Sequence, residues 1–213
     1  MANVSEKYTR VQYLYNINSL KNLKSIFESG LLSKNQLKDS FARQSVDLSN
    51  PDVQNRRDHK EVANHGELHD YANLYFDARN PMMYYITCHQ DIEDLCVICF
   101  HKKVLDLEGT IVTDRNAATE LALFETPEQG LNNIDFDLVF APVWNDPDYI
   151  KKANKKAIKC AEVLVWNKIS AEFVVKVKVA TAEARRKAQN LWLPVPVEVD
   201  EYMFFKRREE KGL

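Results

Sequence analysis

The run Ala161-Glu162-Val163-Leu164-Val165-Trp166 has the apolar, β-branched character of a strand, yet carries a carboxylate at its second position. An ionised carboxylate buried without a partner is so costly that such groups pair or change protonation. A strand of this kind either aims Glu162 at solvent or uses it. Just upstream, Lys151, Lys152, Lys155, Lys156 and Lys159 recur at helical spacings and predict a basic stripe on one face. A lone acid between a basic helix and an apolar strand points to a site that handles an anionic ligand.

The rest of the chain supplies both strands and helices. Tyr13 to Ile17 alternates like a short strand, and Ser19 can cap a helix carrying Leu20, Leu23, Ile26 and Phe27 that stops at Gly30. Residues 33–70 are polar and follow no period, with Asn55-Arg56-Arg57-Asp58-His59 on a short helix or an ordered loop. Leu74 to Phe76 predicts a strand, Pro81 to Tyr85 a helix start, Leu95 to Phe100 a core strand, and Asn116 to Phe124 a short helix. Leu138 to Phe140 is short and apolar. Residues 148–159 predict the basic helix, Phe173 to Val179 a half-exposed strand, Ala182 to Trp192 a helix, and Val195 to Phe205 a strand broken by Pro196. Strands outnumber regular βαβ alternation, so the expected class is a mixed α+β fold, as one domain over residues 1–213.

Charge and cysteines narrow the function classes. A net charge of −2 excludes a protein that grips nucleic acid by overall charge, so any such binding needs a local patch. No apolar run approaches the roughly 18 residues of a membrane span, and the N-terminus has no signal-peptide core; the expectation is a cytoplasmic protein without a membrane partner. Cys96-Val-Ile-Cys99, with Cys88 and His101 nearby, invites a zinc reading. In a strand, however, residues three apart face opposite sides, which favours core cysteines. His65, His69 and Asp70 offer a second metal reading, but no further ligand is spaced to complete it, and no metal is expected.

The densest functional stretch runs from His69 to Tyr85, where Tyr71, Tyr75 and Arg79 offer aromatic faces and a guanidinium. It suits a ligand with planar rings and phosphates, or equally a tyrosine-rich core hairpin. Arg56-Arg57 can bind phosphate in bidentate fashion or stand solvated in a loop. The lysine helix is either a contact surface for a polyanion or a plain solvated face.

Taken in order, these pieces resemble the DarT family of bacterial toxins, ADP-ribosyltransferases that modify DNA bases. The resemblance rests on Tyr15-Asn-Ile-Asn-Ser-Leu-Lys-Asn22-Leu23, Gly30-Leu31-Leu32-Ser33, Asn55-Arg56-Arg57, His69 to Tyr84, Thr113-Asp-Arg-Asn116-Ala117, Trp144, and Ala161-Glu162-Val163-Leu164-Val165. It implies an ADP-ribosyltransferase (PARP-like) fold with a split mixed β-sheet, NAD+ as cosubstrate and single-stranded DNA as acceptor. It also implies an antitoxin that removes the ADP-ribose or binds the toxin. On this resemblance Glu162 and Arg57 are catalytic. Tyr15, Asn16, Asn22, Tyr71, Tyr75 and Arg79 lie along the NAD+ cleft, and Trp144, Lys151, Lys152, Lys155 and Lys156 meet DNA. Where relatives carry histidines in a Tyr-His-Ile-Thr-His type of motif, this chain has Asn16 and Ser19, and the acceptor base leans to guanine over thymine. A weakened nucleic-acid binder, or a transferase acting on RNA or protein, are the alternatives.

Overall fold

The computed structural model describes residues 2–39, 45–58, 60–62 and 66–205. Its strands are β1 (Tyr13–Ser19), β2 (Leu31–Leu32), β3 (Tyr71–Tyr75), β4 (Leu95–His101), β5 (Ile111–Thr113), β6 (Phe124–Glu125), β7 (Glu162–Trp166), β8 (Lys168–Ile169), β9 (Val174–Val179) and β10 (Val197–Val199). Eight of them form one sheet in the order β10-β9-β4-β1-β3-β7-β5-β6, and β2 pairs with β8 apart from it. Pairing within the large sheet is antiparallel except for β10 on β9, so the sheet is mixed and the fold is α+β as expected.

The sheet is split in its middle. β1 and β4 share seven register pairs, whereas β1 meets β3 only at Tyr15 opposite Tyr75. Beyond that pair the strands diverge, bridged by the Asn16 amide, which donates to the Asn73 carbonyl at 3.2 Å. The sheet interior is apolar on both faces. Cys96 belongs to one core cluster with Leu14, Ile98 and Val163, while Cys99 belongs to the other with Val97, Met83 and Phe204. The two thiols therefore face opposite sides, as strand alternation requires.

Local chemistry sets the element ends. Ser19 caps the turn that opens the helix Leu23–Ser29, and Gly30 closes it at φ +89°. A Cβ there would meet the Ile169 carbonyl oxygen at 2.6 Å, so glycine is required by close approach as well as by backbone angle. Asn50 caps the helix Pro51–Arg57 and Asn80 caps Pro81–His89, each with proline in the first turn. The short apolar run near Leu138 belongs to a helix, Phe136–Val139, capped by Asp135.

Three expectations need correction. Residues 116–123 form turns instead of a helix and Phe124 begins β6, because the Asn116 side chain accepts from Ala118 N–H and competes with helical pairing. The C-terminal strand shrinks to Val197–Val199, since Pro196 has no N–H to extend it and residues 201–205 turn. The helix after Thr181 ends at Gln189, three residues early.

Candidate active site

A cleft of about 990 Å³ opens where β1 and β3 part. Asn16 and Asn18 line it from β1, Tyr71 and Tyr75 from β3, and Arg57 and Cys160 lie at its floor. Among the described residues, the lysines and arginines along it are Lys34, Lys38, Arg56, Arg57 and Lys156, against one carboxylate, Asp47. A chain of net charge −2 thus presents a cationic cleft, the local patch that an anionic ligand needs.

Glu162 begins β7, opposite Tyr75 of β3, with no exposed surface. One Arg57 nitrogen (Nη1) lies 3.0 and 3.3 Å from its two oxygens, and the Ala117 N–H donates to Oε1 at 3.0 Å. The Glu162 N–H is itself held by the Thr113 hydroxyl at 3.1 Å. The segment Thr113–Ala117 therefore wraps the start of β7 and supplies a donor from a turn. That donor is a backbone group, which is why no side-chain pattern reveals it. Arg57 is 7% exposed and Arg56 is open to solvent, which distinguishes the two arginines geometrically. Glu162 does not itself line the cleft: Arg57 does, with the carboxylate behind it. Burial, and then the Glu162 charge, push the Tyr75 phenol well above its ordinary value, so it stays a neutral hydroxyl. Burial likewise pushes the Cys160 thiol up to about 12, with Glu162 adding to it, which keeps this cleft-side thiol protonated near neutral pH.

Other side chains expected in the site are placed differently. Tyr15 does not line the cleft; it packs against the core cluster of Val97, Cys99 and Met83, 6.4 Å from the Tyr13 ring. Arg79 is held away by the C-terminal turn, its guanidinium 4.0 Å from the Tyr202 ring and 3.9 Å from the Phe205 ring. Trp144 meets Tyr84 and Phe205 edge to face, also outside the cleft. Ser19 serves as a cap.

The lysine stripe breaks up. Lys159 is 1% exposed and pairs with Asp77 at 2.7 Å while donating to the Val139 carbonyl at 2.8 Å. Lys155 pairs with Asp146 at 2.8 Å. Lys151 and Lys152 are exposed but do not line the cleft. Lys156 does, together with Ala153 and Tyr149, one and two turns earlier on the same face of the helix Tyr149–Ile158. Tyr149, 83% exposed at the cleft mouth, was not singled out in the sequence; its signal was the i, i+4, i+7 spacing with Ala153 and Lys156.

His65 lies outside the described residues. His69 is buried between the Asp58 carboxylate (3.1 Å) and Gln54 Oε1 (3.0 Å). Asp70 is taken up by Asn35 at 2.8 Å and the Glu67 N–H at 3.0 Å. Among the described residues no three His, Cys, Asp or Glu side chains form a group able to hold a metal.

A split mixed sheet with its cleft at the split, and a buried Glu–Arg pair whose arginine lines that cleft, fit the ADP-ribosyltransferase-type fold that the resemblance implies. The sequence model of the family described as "ssDNA thymidine ADP-ribosyltransferase, DarT" matches residues 15–205, and the chain belongs to that family. A DNA ADP-ribosyl transferase–DNA ADP-ribosyl glycohydrolase fusion protein of Thermosipho africanus is 27% identical over 95% of this chain. The match spans only 52% of that relative, so this chain corresponds to about half of the fusion. A DNA ADP-ribosyl transferase of Thermus sp. is 29% identical over 81% of this chain and 90% of its own length. The same fold occurs in Thermus sp. 2.9 DarT in complex with ADP-ribosylated ssDNA, with TM-score 0.79 and 21% identity over 92% of this chain and 97% of that one. It also occurs in Thermus sp. 2.9 DarT in complex with NAD+, with TM-score 0.75 and 22% identity over 92% of this chain and 98% of that one.

Proposed function

We propose that this chain transfers ADP-ribose from NAD+ to a base of single-stranded DNA and releases nicotinamide. The observation that carries this reading is the cationic cleft floored by Arg57, with the Glu162 carboxylate locked behind it. In such a transfer the bond from the ribose anomeric carbon to nicotinamide breaks, and a bond from that carbon to a base nitrogen forms. The base loses a proton, and positive charge develops on the ribose as the first bond loosens. Glu162 holds the Arg57 fork in one orientation and supplies a fixed negative charge near that centre. Tyr71 and Tyr75 offer faces for nicotinamide or a base, and Tyr149 offers one at the mouth for an incoming base. Single-stranded acceptor presents base edges without the cost of unstacking a duplex.

The family membership and the relatives named for DNA ADP-ribosyl transfer support this reading. We assign the chain a toxin role and a partner antitoxin that removes the modification, supported by the glycohydrolase fused to the Thermosipho relative. The acceptor base leans to guanine, supported by Asn16 and Ser19 standing where a histidine motif is expected, while the family description names thymidine. Incubation with NAD+ and oligonucleotides containing a single guanine or a single thymine, alongside RNA and protein acceptors, tests acceptor and base together. Modification of protein or RNA alone overturns the DNA assignment, and modification at thymine alone overturns the guanine lean.

A further inference from the structure

We propose that Asn22 is a positioning residue, which pins residues 45–50 as a strap over the cleft instead of contacting the dinucleotide through its amide nitrogen. Asn22 precedes the helix Leu23–Ser29 but makes no side-chain bond to it. Its side chain instead pairs with the backbone of Val46, donating to the carbonyl at 2.9 Å and accepting from the N–H at 2.9 Å. The second amide hydrogen goes to Asn18 Oδ1 at 2.7 Å. Both donors of Asn22 are therefore used, and only one lone pair is left for any ligand.

The strap connects this pin to the catalytic floor. Residues 45–50 line the cleft, and Leu48 packs against the core cluster beyond it. Asn50 ends the strap by capping the helix that carries Arg57. That helix has its own anchor, because Gln54 Oε1 takes the Lys34 ammonium at 2.8 Å and lies 3.0 Å from the His69 ring. Losing the pin should therefore free the cleft wall without displacing Arg57, which predicts a change in NAD+ affinity and little change in turnover.

This inference rests on the proposed use of NAD+, and two readouts keep the two ideas separable. Hydrogen exchange on the ligand-free protein reads the pin directly: in Asn22→Ala, amides of residues 45–50 should exchange at least tenfold faster, with β1 and the helix Pro51–Arg57 unchanged. Kinetics should show KM for NAD+ rising about tenfold and kcat staying within about threefold. Val46→Pro removes the N–H that Asn22 accepts and keeps Asn22, giving a milder form of both effects even if Asn22→Ala fails to fold. Added to Asn22→Ala it should change nothing more. Unaltered exchange at 45–50, or losses from the two substitutions that multiply, would overturn the pin. Wild-type protein that neither binds nor consumes NAD+ would overturn the functional reading, and with it the strap's role.

Discussion

Glu162 and Arg57 behave as one unit. With the carboxylate fully buried and the guanidinium nearly so, truncating either partner leaves a charge stranded. Breaking such a buried pair typically costs about 3–5 kcal/mol. Glu162→Ala is therefore predicted to lower stability by that order in urea unfolding, and a cost under about 1 kcal/mol would show the pair is not structural. Glu162→Gln keeps an acceptor for Ala117 N–H while removing the charge, so it is the cleaner functional probe, predicted to fold and to lose about a hundredfold or more in transfer. His69 sets a pH dependence of a different kind. Burial first, then Lys34 and Arg57, lower its pKa to about 4 against the opposing Asp58 carboxylate, from roughly 6.5 in an unfolded chain. Between those values the unfolded chain binds the extra proton, so stability is full above about pH 6.5 and falls as pH drops toward 4. His69→Gln should flatten the urea midpoint between pH 5 and 7, and an unchanged slope would remove His69 as the cause.

At the scale of elements, the helix Tyr149–Ile158 distributes its lysines to different tasks. Only the face of Tyr149, Ala153 and Lys156 borders the cleft, and the two alanines at 153 and 157 keep that wall low. Tyr149→Ala and Lys156→Glu are predicted to raise KM for a single-stranded oligonucleotide about tenfold, the scale of one lost base stack. Lys151→Glu and Lys152→Glu should change it less than twofold, and equal losses at all four positions would mean a general charge effect instead. The helix itself was legible from its spacing and its Asp148 cap. Lys159 was not: its partner Asp77 lies 82 positions upstream, and nothing in a helical period reports a contact that distant. The strands near Leu95 and Val163 were legible for the opposite reason, because local apolar runs report their own burial. Residues 33–70 have no such period; what orders the stretch around Val46 is Asn22, 24 positions away.

The whole molecule gathers a charge pattern that composition hides. A nearly neutral chain folds so that, among the described residues, five lysines and arginines line one cleft, at the place where the sheet loses pairing between β1 and β3. The mixed class and the need of Glu162 for a partner could be read from sequence, because an acid in an apolar strand cannot stand buried alone. The partner's identity, the exclusion of Tyr15 and Arg79 from the cleft and the strap over it depend on contacts between distant segments. On the proposed reading, this cleft carries out ADP-ribosyl transfer to DNA with Arg57 at its floor and Glu162 behind it. Mass spectrometry of a mixed-sequence single-stranded oligonucleotide, incubated with NAD+ and either wild-type protein or Glu162→Gln, tests it most directly. Wild-type protein should leave one added ADP-ribosyl group on the oligonucleotide and the variant almost none; an unmodified oligonucleotide with folded wild-type protein, or equal modification by both, would overturn the assignment.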